Sequence, residues 1–284
     1  MKPSPFLAEI TQLDPEHDHL RIVYLDSCFE FPLDTTLSLQ LAFFRTYAVP
    51  SIGRLLDSTQ EFALRAQRRY DDTELLIAEF VEYGYDSPRG RAAIRRMNRL
   101  HGRHPIANDD YLYVLSAMVL EPIRWNERFG WRALVDQERQ AAFHFWRRVG
   151  RMMGIDEIPA TLEELDAFNR RYEEERFAFT DEGRRVGIAT RDLFVSWFPW
   201  LPRRLGHRAI YALLDERLLD AFGFPHPTAA ERRAVEGALR ARARLVRLLP
   251  PRRKPRLRTE LRRRSYPSGY RIEELGPHVD LGSA

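Results

Sequence analysis

Apolar residues recur three or four positions apart over long stretches of the chain, with charged residues between them. This period is typical of helices that bury one face, and the strict alternation of a half-buried strand is nearly absent. Proline and glycine residues separate the stretches. The pattern predicts an all-α protein with helices near 36–48, 51–58, 61–83, 88–104, 108–120, 136–153, 161–177, 181–198, 206–221 and 228–248.

Local signals at helix ends support these boundaries. Ser87 is a candidate N-cap with Pro88 at the first helical position, and Thr161 with Glu164 matches a capping box. Only the stretch 20–25 (LRIVYL) has the composition of a strand, which is too little for a sheet. The chain has no repeat of solenoid period. We therefore expect a single multi-helix domain.

The composition fits a soluble protein with a sizeable core, since 44% of the 284 residues are hydrophobic and 12% are aromatic. Cys28 is the single cysteine, which excludes an intramolecular disulfide and a thiolate zinc cage. The first residues lack an apolar run of signal-peptide length, and no run of about eighteen uncharged apolar residues occurs. We expect a cytoplasmic, non-exported protein.

Positive charge is concentrated near the C-terminus. The formal net charge is +4, but residues 240–264 hold twelve Lys or Arg against one acid, Glu260. That segment carries +11 and the rest of the chain −7. Because no aromatic residues lie between the cations and no recognition motif accompanies them, we expect no nucleic-acid partner. A solvated arm or a peripheral contact with an anionic membrane fits the pattern better.

The stretch 250–270 is rich in proline and arginine and breaks the helical period. Such a composition predicts an extended segment that wraps the surface. We divide the chain into a helical domain, 1–249, and a basic extended tail, 250–284.

Two histidines provide the best chemical lead. On a helix over 91–106, His101 and His104 share a face with Ile94 and Met97, while arginines occupy the other side. An inward imidazole can pack, hydrogen-bond or bind a metal, and a hydrogen-bonded core histidine is the commonest case. Helical spacing alone does not choose between these roles.

Arg69 and Thr73 stand four residues apart in the preceding helix and project from the same side. An exposed arginine and a threonine bonded to the carbonyl one turn back would explain the pair. With an inward histidine on the next helix, the same pair becomes a candidate site for the anionic edge of a cofactor, such as a propionate.

Acidic residues in the same helix suggest a different chemistry. Asp71, Asp72 and Glu74, together with the later stretch 108–110 (NDD), partly match the magnesium-diphosphate sites of helical isoprenoid synthases. Such a site needs carboxylates that face one cavity, whereas Asp71 and Asp72 are adjacent and 108–110 resembles a helix N-terminus. Acids on a solvated face are the simpler explanation.

Other motifs narrow the field further. The chain contains no glycine-rich phosphate loop, no GxSxG elbow and no HExxH motif, so the usual signatures of nucleotide hydrolases, serine esterases and zinc proteases are missing. The segment 111–134 begins as a strongly apolar helix and is rich in aromatics, as expected of a core helix that can wall a large apolar cavity. Redox chemistry at a bound cofactor remains compatible with the sequence.

Three segments together resemble the MpaB-type oxygenase family, which shares its catalytic domain with the latex-clearing rubber oxygenases. They are RYDDT, RMNRLHGRHPIANDDYLYVLSAMVLEPIRWNERFGWRAL and RRVGRMMGIDEIPAT. The resemblance covers residues 35–258 and is strongest over 69–160. The family's Arg-x-x-x-Thr pattern, followed by a helix-borne histidine, falls on Arg69, Thr73 and His101, with His104 as the alternative histidine.

This resemblance implies a globin-like helical core around haem b, with His101 as axial iron ligand and with Arg69 and Thr73 supporting the cofactor region. It also implies O2-dependent oxidation, which in the rubber-degrading members cleaves a carbon–carbon double bond of an isoprenoid chain. A neutral imidazole can bind ferrous iron, and an apolar pocket limits the access of solvent.

Two departures qualify the resemblance. Latex-clearing proteins have a lysine beside the threonine, where this chain has Asp72, so the distal haem residues are expected to differ. The chain also shows neither the export signal of secreted rubber oxygenases nor the membrane anchor of the fungal enzyme. A small or membrane-dissolved isoprenoid or lipid is then a better substrate than an extracellular polymer.

Our hypothesis is a haem-dependent oxygenase that acts on an apolar, unsaturated isoprenoid or lipid-like substrate with O2. We prefer His101 to His104 as the ligand because His104 precedes Pro105 at a frayed helix end. One alternative is a non-catalytic helical carrier of isoprenoid or lipid. Another is a Mg2+-dependent isoprenoid enzyme that uses Asp71, Asp72 and Glu74.

Overall fold

The computed structural model describes residues 4–277, so the last seven residues of the predicted tail lie outside the described range. Over residues 4–277 the chain forms thirteen α-helices and no strand, which confirms the all-α prediction. No helix in this range combines the length and the apolar character needed to cross a bilayer. The helices are α1 Pro5–Ile10, α2 His19–Leu25, α3 Pro32–Thr46, α4 Pro50–Ser58, α5 Glu61–Tyr83, α6 Pro88–His101, α7 Asn108–Phe129, α8 Asp136–Met152, α9 Leu162–Arg176, α10 Asp181–Ser196, α11 Arg203–Leu213, α12 Glu216–Phe222 and α13 Ala229–Leu248.

Helix α7 forms the centre of the domain. Its buried residues lie on every side of the helix, which is typical of a helix enclosed by its neighbours. Helix α3 packs along it, and α8 and α9 also contact it. A second cluster joins α3 to α10 and α12, where the rings of Phe44 and Phe222 meet edge to face at 5.1 Å.

The turn between α5 and α6 fixes how these two helices meet. Gly84 ends α5 with a φ of 83°, a left-handed conformation that favours glycine. Ser87 then caps α6 by accepting a hydrogen bond from the N–H of Gly90 at 2.9 Å. A Cβ at Gly90 would overlap the carbonyl oxygen of Gly84, so the turn packs directly on the first turn of α6. This close approach sets α5 and α6 side by side.

The stretch 20–25 is helical, so the prediction of a strand there is wrong. Ile22, Val23 and Leu25 are buried in α2, while Arg21 is exposed. Helix α2 packs against α8 and continues into a π-helix, Asp26–Glu30. A short run of β-branched residues fits a strand and a buried helix equally well, and here tertiary packing decides.

Several predicted boundaries also differ from the structure, and the helix predicted over 36–48 is α3, Pro32–Thr46. Helix α7 continues through Pro122 to Phe129, and its apolar face extends past the proline through the buried Ile123, Trp125 and Phe129. The stretch 206–221 is two helices, α11 and α12, with Asp215 as the N-cap of the second. Helix α6 ends at His101 rather than at 104.

The segment that follows α13 forms bends and turns and a short 3-10 helix, Ile272–Glu274, up to residue 277, and it packs against the helices. Leu275 is fully buried, and Arg258 and Tyr266 are almost fully buried. Tyr266 and Leu275 belong to the main apolar core together with residues of α5, α6 and α7. Arg258 and Arg263 pair with Glu82 and Glu74 of α5, so these two arginines are not part of a solvated arm.

Candidate functional site

A cavity of about 300 Å³ lies between α3, α5, α6, α7 and α10. Its volume is in the range of small-molecule sites, which are mostly apolar with a few polar groups. The polar groups here include Arg69, Thr73 and His101, so the structure brings all three predicted residues to one cavity. The apolar lining includes Leu39, Phe43, Phe62, Leu76, Phe80, Met97, Leu100, Tyr111, Val114, Leu115, Met118, Trp146 and Ile155.

His101 is the last residue of α6, and its Nδ1 atom is buried without a hydrogen-bond partner in the described part of the chain. Burial, with smaller contributions from the nearby charges of Arg69 and His104, lowers the pKa of His101 to about 4. The imidazole is therefore neutral at pH 7. In the neutral form, one ring nitrogen is unprotonated and has a free lone pair. A buried polar atom without a partner is rare and suggests a ligand.

His104 does not share this environment. Helix α6 ends one turn earlier, and the chain passes through Gly102 so that the side chain of His104 is exposed at the edge of the cavity. The prediction that both histidines face inward is confirmed for His101 and wrong for His104. The prediction placed both histidines on one helical face because it assumed that α6 continues to residue 104.

Arg69 and Thr73 are joined to each other. The Nη1 group of Arg69 donates to the hydroxyl of Thr73, whose own proton is donated to the carbonyl oxygen of Arg69 at 3.1 Å. The guanidinium also lies over the ring of Phe62, 5.7 Å from its centroid. Within residues 4–277, no carboxylate pairs with Arg69. The cavity thus contains a cation that is oriented by a hydroxyl and is free to bind an anion.

The backbone departs from helical geometry at Arg65, inside α5, with φ and ψ of −142° and 41°. The residues that precede this break line the cavity through Phe62, and those that follow it line the cavity through Arg69 and Thr73. The break therefore lies at the point where α5 bends around the cavity.

The acids of α5 bind residues of the C-terminal segment. Asp72 is 3% exposed and accepts hydrogen bonds from the hydroxyl of Tyr266 and from the N–H of Gly276. Burial raises the pKa of Asp72, and these two donors offset part of that effect. Asp71 accepts from Gln67 at 3.1 Å and from the backbone N–H of Ser265 at 3.2 Å. Ser265 and Tyr266 lie 194 residues further along the chain than the acids they bind.

This arrangement does not support the magnesium alternative. Asp72 lines the cavity of His101, Asp71 lines a neighbouring cavity, and Glu74 is paired with Arg263. Asp110 also lines the cavity of His101, but its carboxylate already accepts hydrogen bonds from Tyr172 and Ser51. Among residues 4–277, no group of three or more His, Cys, Asp or Glu side chains is placed to hold a metal ion.

The wall between the two cavities was missed by the sequence analysis. The side-chain amide of Gln40 donates to the hydroxyl of Tyr70 at 2.6 Å, and both residues line both cavities. Burial raises the pKa of Tyr70. Tyr70 follows Arg69 directly in the RYDDT segment. The sequence does not show that Tyr70 is hydrogen-bonded to Gln40, which lies thirty residues earlier.

Residues 35–248 match the family described as ER-bound oxygenase mpaB/B′/Rubber oxygenase, catalytic domain. ER-bound oxygenase mpaB′ of Penicillium brevicompactum is 29% identical over 240 residues, which cover 78% of this chain and 57% of that protein. ER-bound oxygenase mpaB of Penicillium roqueforti (strain FM164) is 30% identical over 210 residues, which cover 68% of this chain and 70% of that protein. The chain thus spans little more than half of the first relative.

A solved structure with a similar fold is that of latex clearing protein LCP in the closed state. It superposes with a TM-score of 0.57 at 16% sequence identity, and the match covers 85% of this chain and 70% of the other. At this identity the likeness shows a shared fold. Because the family match itself covers more than half of the chain, the protein belongs to the family of mpaB-type oxygenase and rubber oxygenase catalytic domains.

Proposed function

We propose that the protein is a haem b-dependent oxygenase that acts with O2 on an apolar, unsaturated isoprenoid or lipid-like substrate. The observation that carries the proposal is His101, whose buried Nδ1 has no hydrogen-bond partner in the described residues and whose ring lines an apolar cavity. Membership of an oxygenase family supports the type of reaction.

The chemistry of His101 fits an axial ligand of iron. A histidine binds a metal in its neutral form, so protons compete with the metal for the ring nitrogen. With the pKa of His101 lowered to about 4 by burial, that competition is weak at pH 7. His104, the alternative ligand, is exposed and precedes Pro105, which makes it the weaker candidate.

Arg69 and Thr73 fit the support of an anionic cofactor edge. The guanidinium of Arg69 lines the cavity and has no carboxylate partner in the described residues. A haem propionate would therefore be a suitable ion-pair partner for it. Thr73 orients that guanidinium through its hydroxyl. When bound, the haem supplies the activation of O2.

The remaining walls support an apolar substrate. Phe43, Phe80, Leu115, Met118 and Trp146 line the cavity and exclude water from it. An apolar chain that enters gains free energy by leaving water, while the wall offers it few polar groups.

We also propose a peripheral contact with an anionic membrane. Leu245 and Leu248 near the end of α13 and Leu249, directly after it, are exposed, and so are the neighbouring Arg244 and Arg247. Apolar side chains next to arginines are the combination that binds the interface of an anionic bilayer. Sedimentation with vesicles tests this contact: the protein should bind vesicles that contain phosphatidylserine and should not bind purely zwitterionic ones.

The main proposal is tested by the absorption spectrum of protein expressed with a haem precursor, together with the pyridine haemochrome assay. We expect stoichiometric haem b in the wild type and in His104→Ala, and little or none in His101→Ala. Full haem retention in His101→Ala would overturn the ligand assignment. A wild-type protein without haem under these conditions would favour the non-catalytic carrier.

A further inference from the structure

A second cavity, of about 510 Å³, lies beside the His101 cavity. The helical side of this cavity is apolar and is formed by α3, α10, α11 and the linker between α10 and α11. That side includes Leu33, Leu37, Leu41, Phe44, Phe194, Val195, Phe198, Leu201, Ala209, Ile210 and Leu213. Such a surface fits a hydrocarbon chain.

The lining also includes residues of the C-terminal segment, which is rich in arginine here. Arg256, Arg262 and Arg264 line the cavity and are exposed. None of the three forms an ion pair with a described residue, whereas Arg258 and Arg263 in the same segment do. Apolar and cationic side chains therefore line the same cavity.

Arg258 adds a buried cation to this wall. The residue is 4% exposed, and its Nε donates to Glu82 at 3.4 Å. Its Nη2 atom is also buried but has no hydrogen-bond partner among the described residues. Because a buried donor without an acceptor is costly, this nitrogen is suited to an anion that enters the cavity.

Two carboxylates also line the second cavity, and both already have donors. Asp71 accepts from Gln67 and Ser265, and Glu74 pairs with Arg263. Neither carboxylate neutralises the three unpaired arginines. The C-terminal wall of the cavity thus keeps a surplus of positive charge.

A wall of side chains separates the second cavity from the cavity of His101. Tyr70 and Gln40, joined by their hydrogen bond, line both cavities, and so does Phe194. The second cavity therefore adjoins the cavity of His101. Movement of these side chains would give a chain bound in the second cavity access to the cavity of His101.

We propose that the second cavity binds an amphiphile that consists of one apolar chain with a terminal anion, such as a carboxylate. The chain lies against α3, α10 and α11, and the anion is held by Arg256, Arg262 and Arg264 with Arg258 behind them. The inference names the substrate class of the proposed oxygenase and rests on that function, but binding of the amphiphile does not require haem.

Equilibrium dialysis with labelled oleate and oleyl alcohol, both below their aggregation concentrations, measures this selectivity on the protein as purified. The two probes share a chain and differ in charge. Charge-assisted hydrogen bonds to a carboxylate should make the Kd for oleate lower by about tenfold or more. Equal affinity for the two probes would overturn the proposal.

Three variants locate the ligand. R256Q/R262Q/R264Q should remove the preference for oleate and leave oleyl alcohol binding unchanged. The matched control R252Q/R253Q/K254Q removes three exposed cations of the same segment that do not line the cavity, and it should bind both probes like the wild type. Ala209→Phe should place a larger side chain of α11 in the cavity and weaken the binding of both probes.

Equal losses in the two arginine variants would show a general charge effect and overturn the site, as would unchanged binding in Ala209→Phe. Haem is measured in the same samples, so the two proposals fail separately. Selective oleate binding by a protein without haem would contradict the oxygenase and keep the amphiphile site. A protein that binds haem but shows no preference for oleate would contradict the amphiphile site and keep the oxygenase.

Discussion

The depressed pKa of His101 predicts how acid destabilises the haem-free protein. The folded protein holds this side chain with a pKa of about 4, below the ordinary value of 6.5, chiefly because of burial. Between these two pH values the unfolded chain binds the proton and the folded protein does not. The free energy of unfolding that depends on His101 is therefore lost as the pH falls through this window.

The size of the loss follows from the shift. A pKa lowered from 6.5 to about 4, at roughly 1.4 kcal/mol per unit, corresponds to about 3–4 kcal/mol once the pH is well below 4. By pH 5 the loss relative to pH 7 should be about 2 kcal/mol. Replacing His101 by glutamine removes the titrating group and should remove this part of the pH dependence.

The assay is urea unfolding of haem-free wild type, His101→Gln and His104→Gln at a series of pH values from 7 to 4.5. The wild-type and His104→Gln curves should fall together, because the side chain of His104 is exposed. The His101→Gln curve should fall less steeply. If all three curves run parallel, the imidazole of His101 is not held neutral by burial and the reasoning is refuted.

Three further outcomes are expected. Arg69→Gln should lower haem affinity about tenfold in a haem titration, because a propionate would lose its guanidinium, whereas Arg99→Gln on the exposed side of α6 should not. Tyr266→Phe leaves the buried carboxylate of Asp72 without one donor and should cost about 1–3 kcal/mol in denaturant unfolding. Arg45→Met leaves buried Glu173 and Glu121 without their shared cation, and the same assay should show a loss of about 3–5 kcal/mol. A loss below 1 kcal/mol would contradict either stability prediction.

The helices that could be predicted from the sequence are those with a long apolar period. Helix α5 begins and ends at the predicted residues, and α8 and α13 differ from their predictions by a single residue at one end. The period fails for α2, because six residues are too few to separate a helix from a strand. The apolar period also fails to predict the break between α11 and α12, because the period continues through it. The break is set by Asp215, the N-cap of α12.

The candidate site could be predicted in part. Arg69, Thr73 and His101 lie on adjacent helices, so their spacing and the turn at Gly84 bring them together. The contacts of Asp72 with Tyr266 could not be predicted, since they join residues 194 positions apart. Neither composition nor period encodes such a pairing, and this is why the C-terminal segment was expected to be solvated.

The most direct test of the account is the spectrum of His101→Gly with and without added imidazole. A glycine at the end of α6 leaves room for a free imidazole at the position of the lost side chain. We predict that His101→Gly has almost no Soret absorption and that imidazole restores it, with His104→Gly unchanged throughout. A full Soret band in His101→Gly without imidazole would contradict the assignment of His101 as the iron ligand.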